Sequence, residues 1–257
     1  MNNQTFDQYT TRPSDPELFR IACDHAFKRV SGTNGIGTLS EKSVHAVLKY
    51  YYVPDENCHE IPIDRFVADV CKEGEIYEIQ TRNFNTLRPK LACFLENYEV
   101  SVVYPIDFHK TIRWIDPVTG EIKENRKSSK KGHPYDVLLE LYRIKQFLNY
   151  DNLHIILCLM ETEEYRLLDG YDITKKKHST KTDRMPTELV QEILIDQKKD
   201  YLCFLPDDLP DPFTTKDISK TSKRPLSQAQ ILCTLLQYLD LIEKTGTKDR
   251  YNLYHIR

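Results

Sequence analysis

Apolar residues recur at helical spacing in two early segments. Leu18, Ile21, Ala22 and Ala26 share one face of a stretch opened by Pro16, a residue preorganised for a first helical turn. After the glycine-rich run SGTNGIGT, Ser40 is placed to cap a second helix. Its Val44, Val47, Leu48 and Tyr51 form an apolar stripe, and Pro54 with Asp55 ends it. The period then shortens. HEIPIDRFVADVCK and EIYEIQTRNF carry β-branched and aromatic residues on either side of KEGE, which predicts two strands and a tight turn. NTLRPKLACFLENY predicts a helix, YEVSVVYPI a strand of the buried kind, and TIRWIDPVTGEIKENRK a second hairpin turning at DPVTG. HPYDVLLELYRIKQFL reads as one long amphipathic helix and NLHIILCLM as a core strand. The polar, basic stretch DGYDITKKKHSTKTDRMP reads as a loop or arm. TELVQEILI and DYLCFLP are short elements of open type.

The run PDDLPDP, crowded with prolines and aspartates, then predicts a linker. Beyond it, TTKDISKTS predicts a short helix capped by Thr214 or Thr215. A longer helix after Pro225 places Ala229, Leu232, Leu236 and Leu239 on one side, and LIEKTGTKDRYNLYHI predicts a hairpin. The expected division is a frayed polar N-terminus over 1–15, an α/β domain over 16–206, a linker over 207–212 and a small helical unit with a hairpin over 213–257. The expected fold class is α/β, with a mixed central sheet flanked by helices.

With 40% hydrophobic and 29% charged residues over 257 positions, the chain is folded rather than disordered. A net charge of −3 argues against holding nucleic acid by bulk positive charge and leaves local patches as the alternative. Seven scattered cysteines without a CxxC pair read as reduced thiols of a cytoplasmic protein. No signal peptide and no membrane span is expected from the polar N-terminus and the short apolar runs.

Candidate chemistry lies between RFVADV and EIQTR. Asp69 ends one predicted strand, and Glu78, Gln80 and Arg82 alternate along the next, so the three are expected to face one side. A hairpin would bring Asp69 beside Glu78. Two carboxylates so placed repel unless a cation lies between them, and oxygen-rich sites of this kind suit Mg2+ or Mn2+ acting on phosphodiesters. Glu41, off the apolar stripe of the second helix, would complete the cluster. In type and order, Glu41, Asp69 and Glu78 resemble the acidic positions of the PD-(D/E)XK nuclease superfamily, the restriction-endonuclease-like fold, over roughly residues 16–160; SEKSVHAVLKYY, FVADV and YEIQTR also resemble a bacterial family of uncharacterised proteins. The resemblance implies a metal-dependent DNA endonuclease in which Asp69, Glu78 and Glu41 bind the metal. The lysine of the superfamily triplet is replaced here by Gln80, which would orient water, while Arg82 would stabilise phosphate electrostatically. His45 reads as a half-buried side chain rather than a ligand, and Trp114 as core.

The C-terminal unit resembles winged helix-turn-helix domains. The resemblance implies that Ser227, Gln228 and Gln230 face DNA and that Lys223, Arg224, Lys248 and Arg250 touch phosphate, on double-stranded DNA. Residues 211–257 hold eight Lys/Arg against five Asp/Glu, a net +3 within an acidic chain. The basic segments 123–131 and 175–184 would flank the cleft or simply be solvated loops. A homodimer is left open. The alternatives are a catalytically inactive nuclease fold that binds DNA or regulates, and an adaptor whose winged helix binds protein.

Overall fold

The computed structural model describes residues 9–32, 43–169 and 180–257. After strand β1 (Thr11–Arg12) come helices α1 (Pro16–Gly32) and α2 (Ser43–Tyr52), then strands β2 (His59–Ile63), β3 (Phe66–Lys72) and β4 (Glu75–Ile79). The predicted stripes are buried: Ala22, Ala26, Val44, Val47, Leu48 and Tyr51 pack together with Ile79, Val103 and Ile156. Ile21 departs from the expectation and is exposed. The cap expected at Ser40 lies outside the described residues, and so does Glu41. Tyr9 is buried and β1 pairs with the strand described below as β8, so residues 9–15 are tied down rather than frayed.

Helix α3 (Arg88–Phe94) is entered through a 3-10 turn at Phe84–Leu87. Strands β5 (Glu99–Ile115), β6 (Ile122–Lys127), β7 (Leu153–Leu167) and β8 (Thr180–Ile195) complete an eight-stranded sheet of order β1-β8-β7-β5-β4-β3-β2, with β6 also on β5. The central pairs β4–β5 and β5–β7 are parallel; the outer pairs are antiparallel. Val102, Ile155 and Leu157 pack with Leu91 and Phe94 of α3, whereas Val103, Ile156 and Cys158 pack with α2. Consecutive residues thus bury on opposite faces, which explains the continuous apolar runs of β5 and β7. The fold is mixed α/β, a large mixed sheet flanked by helices with a small separate sheet.

HEIPIDRFVADVCK, expected as a single strand, is the antiparallel pair β2 and β3. Two further local expectations differ from the structure, and DYLCFLP, left open, is resolved. HPYDVLLELYRIKQFL is broken into a 3-10 turn (Pro134–Val137), helix α4 (Leu138–Arg143) and a second 3-10 turn (Lys145–Phe147). A capping box between His133 and Asp136 starts the segment, and Ile144, at φ −112°, leaves helical geometry. Residues 180–185, read from sequence as loop, begin β8, because β7 offers a long edge against which a polar segment can pair. DYLCFLP contributes to a 3-10 turn, Lys198–Phe204.

The C-terminal unit follows its predicted order with one addition. Strand β9 (Phe213–Thr214) precedes α5 (Thr215–Ser222), α6 (Leu226–Tyr238), β10 (Ile242–Lys248) and β11 (Tyr251–Ile256), and β9 joins the hairpin as a third strand. Thr214 caps α5 in a reciprocal box with Asp217. Phe213, Ile218, Leu232 and Leu236 belong to the same apolar cluster as Leu138, Leu141 and Phe204, and Leu209 packs against it. The segment 207–212 thus joins elements that share an apolar cluster. No described helix is long and apolar enough to cross a membrane.

Candidate active site

Strands β3 and β4 pair at Lys72–Glu75, Cys71–Ile76 and Val70–Tyr77, and then their backbones diverge. At the fork, side chains replace the ladder. The Asp69 N–H donates to Glu78 Oε1 at 3.2 Å and the Ile79 N–H to Asp69 Oδ2 at 2.8 Å. Asp69 and Glu78 are thereby brought together, as the sequence predicts. Each then meets a residue from a different helix. His45 Nε2 of α2 lies 3.0 Å from Asp69 Oδ2, and Lys90 Nζ of α3 donates to Glu78 Oε2 at 2.8 Å and Oε1 at 3.1 Å.

The two carboxylates titrate apart. Burial raises the Glu78 carboxyl, the charge of Asp69 raises it further, and Lys90 offsets only a fraction, so it reaches about 7. Burial pushes Asp69 up as well, but His45, the Ile79 N–H and Lys90 outweigh it and hold Asp69 below the usual carboxylate range. Environments that drive paired carboxyls apart are a mark of acid–base or ion-binding sites.

Lys90 was missed by the sequence reading. A signal existed: Leu87, Leu91 and Phe94 define the buried face, and Lys90 adjoins Leu91 and follows Leu87 by three, placing it on the border of that face. Gln80 and Arg82 depart from the expected alternation because β4 ends at Ile79. The Gln80 N–H still bonds the Val103 carbonyl, but its amide nitrogen donates to the Arg82 carbonyl (2.5 Å) and Thr86 Oγ1 (3.3 Å), closing the turn before α3. Asn83 takes the left-handed conformation in that turn, and Arg82 is exposed. Gln80 is thus committed to the loop rather than to the fork.

Beyond the end of β4 the sheet has a discontinuity. Strand β5 has β4 beside it only through Val103, and β6 joins the same flank from Thr111 onward. Over the gap, the loop after β6 is bolted to β5: Ser128 N–H donates to the Lys110 carbonyl and Gly132 N–H to the Asp107 carbonyl at 2.8 Å. A Cβ on Gly132 would fall 2.5 Å from that carbonyl oxygen, so only glycine allows this approach. Crevices at the carboxyl ends of parallel strands, where neighbours change, are common ligand sites. Here the gap holds a cavity of about 560 Å³, joined through Thr81 and Arg184 to a second of about 360 Å³ beside Arg82.

Of the residues expected to meet DNA, Lys223, Ser227, Gln230, Lys248 and Arg250 are exposed. Arg224 and Gln228 are not. Arg224 turns toward the α/β body, 3.5 Å from Asp136 and lining the larger cavity, and Gln228 Oε1 is buried without a hydrogen bond. Helix α6 carries no Lys or Arg. Of the basic segments, Lys130 and Lys131 line the larger cavity, whereas residues 175–179 lie outside the described residues. Trp114 is buried, as expected. All seven cysteines are free.

An uncharacterised protein of Treponema pallidum (strain Nichols) is 27% identical to this chain over 187 residues, covering 72% of this chain and 74% of that protein. No solved structure matches. Residues 42–196 match the family described as Domain of unknown function (DUF8091), a span that takes in α2, the fork, Lys90 and the gap in the sheet but not Arg224 or the C-terminal unit. That match covers more than half of the sequence, and the chain belongs to the DUF8091 family.

Proposed function

We propose that the protein is a metal-dependent nuclease that hydrolyses phosphodiester bonds in DNA, built on a restriction-endonuclease-like sheet. The observation that carries this reading is the Asp69–Glu78–Lys90 constellation at the fork. The expected triplet lysine is absent from strand position 80, and Lys90 brings an ammonium to the same carboxylate from α3. The donor set fits a hard cation. Two carboxylates share one fork, and burial together with the charge of Asp69 holds the Glu78 carboxyl up at about 7. Asp69 and Glu78 would hold Mg2+ or Mn2+, whose chemistry when bound is to activate water and neutralise charge developing at phosphorus. Among the described residues no third acidic group joins them into a ligand cluster; Glu41 is the sequence candidate for that place.

The residues of the chain divide the remaining work. Asp69, kept ionised and fixed by the Ile79 N–H, supplies permanent negative charge. Lys90 compensates Glu78 and, once a cation does so instead, has an ammonium available for an entering phosphate oxygen. The C-terminal unit has the strand order of a winged helix, and its exposed Lys223, Lys248 and Arg250 are the candidates for duplex backbone contact. Arg224, which turns to Asp136, and Gln228, whose Oε1 is buried, are withdrawn from that role. The free cysteines fit a reducing cytoplasm.

One observation favours a second reading, a non-catalytic DNA-binding protein: both Glu78 oxygens are already engaged by Lys90, and His45 occupies Asp69. Cleavage of supercoiled and linear DNA with Mn2+ separates the two. The nuclease reading expects cleavage that Asp69→Asn, Glu78→Gln and Lys90→Met each reduce by about a hundredfold or more. DNA binding without cleavage under these conditions, or cleavage indifferent to Asp69→Asn, sinks the catalytic assignment.

A further inference from the structure

The gap in the sheet carries a charge arrangement that the fork does not use. Strand β5 contributes Tyr104, Asp107 and Lys110 to the larger cavity, β8 contributes Arg184, and the bolted loop contributes Lys130 and Lys131. On the floor, the cations are neutralised. Arg184 lies 3.0 Å from Asp107, and Lys110 lies 3.6 Å from Asp107 and 3.0 Å from Glu164. Burial raises the Glu164 carboxyl, yet Lys181, Arg166 and Lys110 hold it down to about 2. The floor is thus a closed ion-pair network that keeps its shape without a ligand.

The walls are different. Lys130 and Lys131 have no acidic partner among the described residues, although their loop is pinned at Gly132. Arg224 enters from the C-terminal unit and lines the cavity; it lies 3.5 Å from Asp136, and its Nε is buried with no hydrogen-bond partner. The second cavity, which also has Thr81 in its lining, adds the exposed Arg82, while its Lys181 is paired with Glu164. Together the two are lined by seven Lys/Arg against three Asp, a net +4 within a chain of net −3.

We infer that this groove is a phosphate-binding track that takes an extended phosphodiester strand, with Arg224, Lys130 and Lys131 holding backbone upstream of Arg184 and Arg82. Two cavities that share Thr81 and Arg184 in their linings offer more room than a single phosphate needs, which favours a chain. The cationic side chains come from both units of the molecule, which share one apolar cluster, so that cluster positions the track. This inference deepens the nuclease reading by naming the strand path beside the fork, and its binding component does not depend on a metal. Thr81, which lines both cavities, follows Glu78 by three residues in the chain.

The test is fluorescence anisotropy of labelled single-stranded oligonucleotides of increasing length, on the full chain in EDTA, over a range of salt. Lys130→Glu with Lys131→Glu changes groove charge at residues that make no ion pair, and Lys123→Glu with Arg126→Glu on β6 makes the same change of net charge outside the groove. The track predicts that the first pair weakens binding by about tenfold or more and flattens the salt dependence by roughly 1.4 in log–log slope, while the second pair has little effect. Inorganic pyrophosphate should compete weakly, and affinity should rise with oligonucleotide length. Equal losses from both pairs, or pyrophosphate binding as tightly as the longest oligonucleotide, overturns the extended-strand track. Because binding is read in EDTA, its failure is separate from that of the nuclease reading: Glu78→Gln should abolish cleavage and leave this binding intact.

Discussion

Replacing Glu78 by Gln tests the electrostatics of the fork without touching its shape. The amide keeps an oxygen for the Asp69 N–H and removes the charge. In the folded chain the Glu78 carboxyl is raised from an ordinary 4.5 to about 7, chiefly by burial and then by Asp69. Between those values the native state holds a proton that the unfolded state has lost. Wild-type stability therefore falls as pH rises through this window, and the loss is complete above 7. A displacement of that size corresponds to about 3 kcal/mol. Lys90 loses its partner in the variant, but its side chain is 24% exposed and can turn to water, which leaves an expected gain of about 1–3 kcal/mol. Urea unfolding followed by circular dichroism should show the Glu78→Gln variant more stable than wild type at pH 8, with the difference shrinking toward zero at pH 5. A variant less stable at pH 8, or an offset that does not change with pH, refutes the account.

Two further expectations follow from packing. Gly132→Ala should cost roughly 1–3 kcal/mol, since the new methyl meets the Asp107 carbonyl and the Ile106 side chain at 2.5 Å, and it should weaken oligonucleotide binding together with stability. Leu236→Ala should cost about 2–5 kcal/mol and lower one cooperative transition for the entire chain, because Leu236 shares a core with Leu141 and Phe204; two separable calorimetric transitions would contradict that continuity.

The helical stripes of α1 and α2, the capped α5 and the apolar β5 were legible because each is set by local periodicity and a cap. The Asp69–Glu78 pairing was legible for the same reason, a short hairpin whose register follows from the turn at Glu73–Gly74. What escaped were features set by distant partners. Strand β8 begins in polar sequence because β7 presents it an edge, and Thr11–Arg12 is ordered by the far side of β8 and by the stacking of Arg12 on Tyr52 and Tyr77. The alternation that placed Gln80 beside Glu78 assumed a strand that stops at Ile79. Lys90 reaches Glu78 through the return of α3 over the sheet, a tertiary fact. The division at PDDLPDP was read from proline and charge, which report a local turn but say nothing about whether Phe213 and Leu236 bury against Phe204.

The fork itself poses the question that decides between a structural and a functional reading. Where β3 and β4 diverge, the N–H groups of Asp69 and Ile79 lose their ladder partners, and a buried donor left unpaired would cost about 1–3 kcal/mol. Side-chain oxygens satisfy both, so the acidic residues have a plain structural use. Asn and Gln would serve it equally well, however, and without charge. Carboxylates there repel each other, hold Glu78 near neutral pH, and require His45 and Lys90 from two helices on opposite faces of the sheet to restrain them. Hydrogen bonding alone explains none of that expense. A cation that needs two close negative charges, with an ammonium beside it for a phosphate oxygen, would account for it, which is why the charge of the pair, rather than its geometry, is the stronger argument for the proposed chemistry at this site.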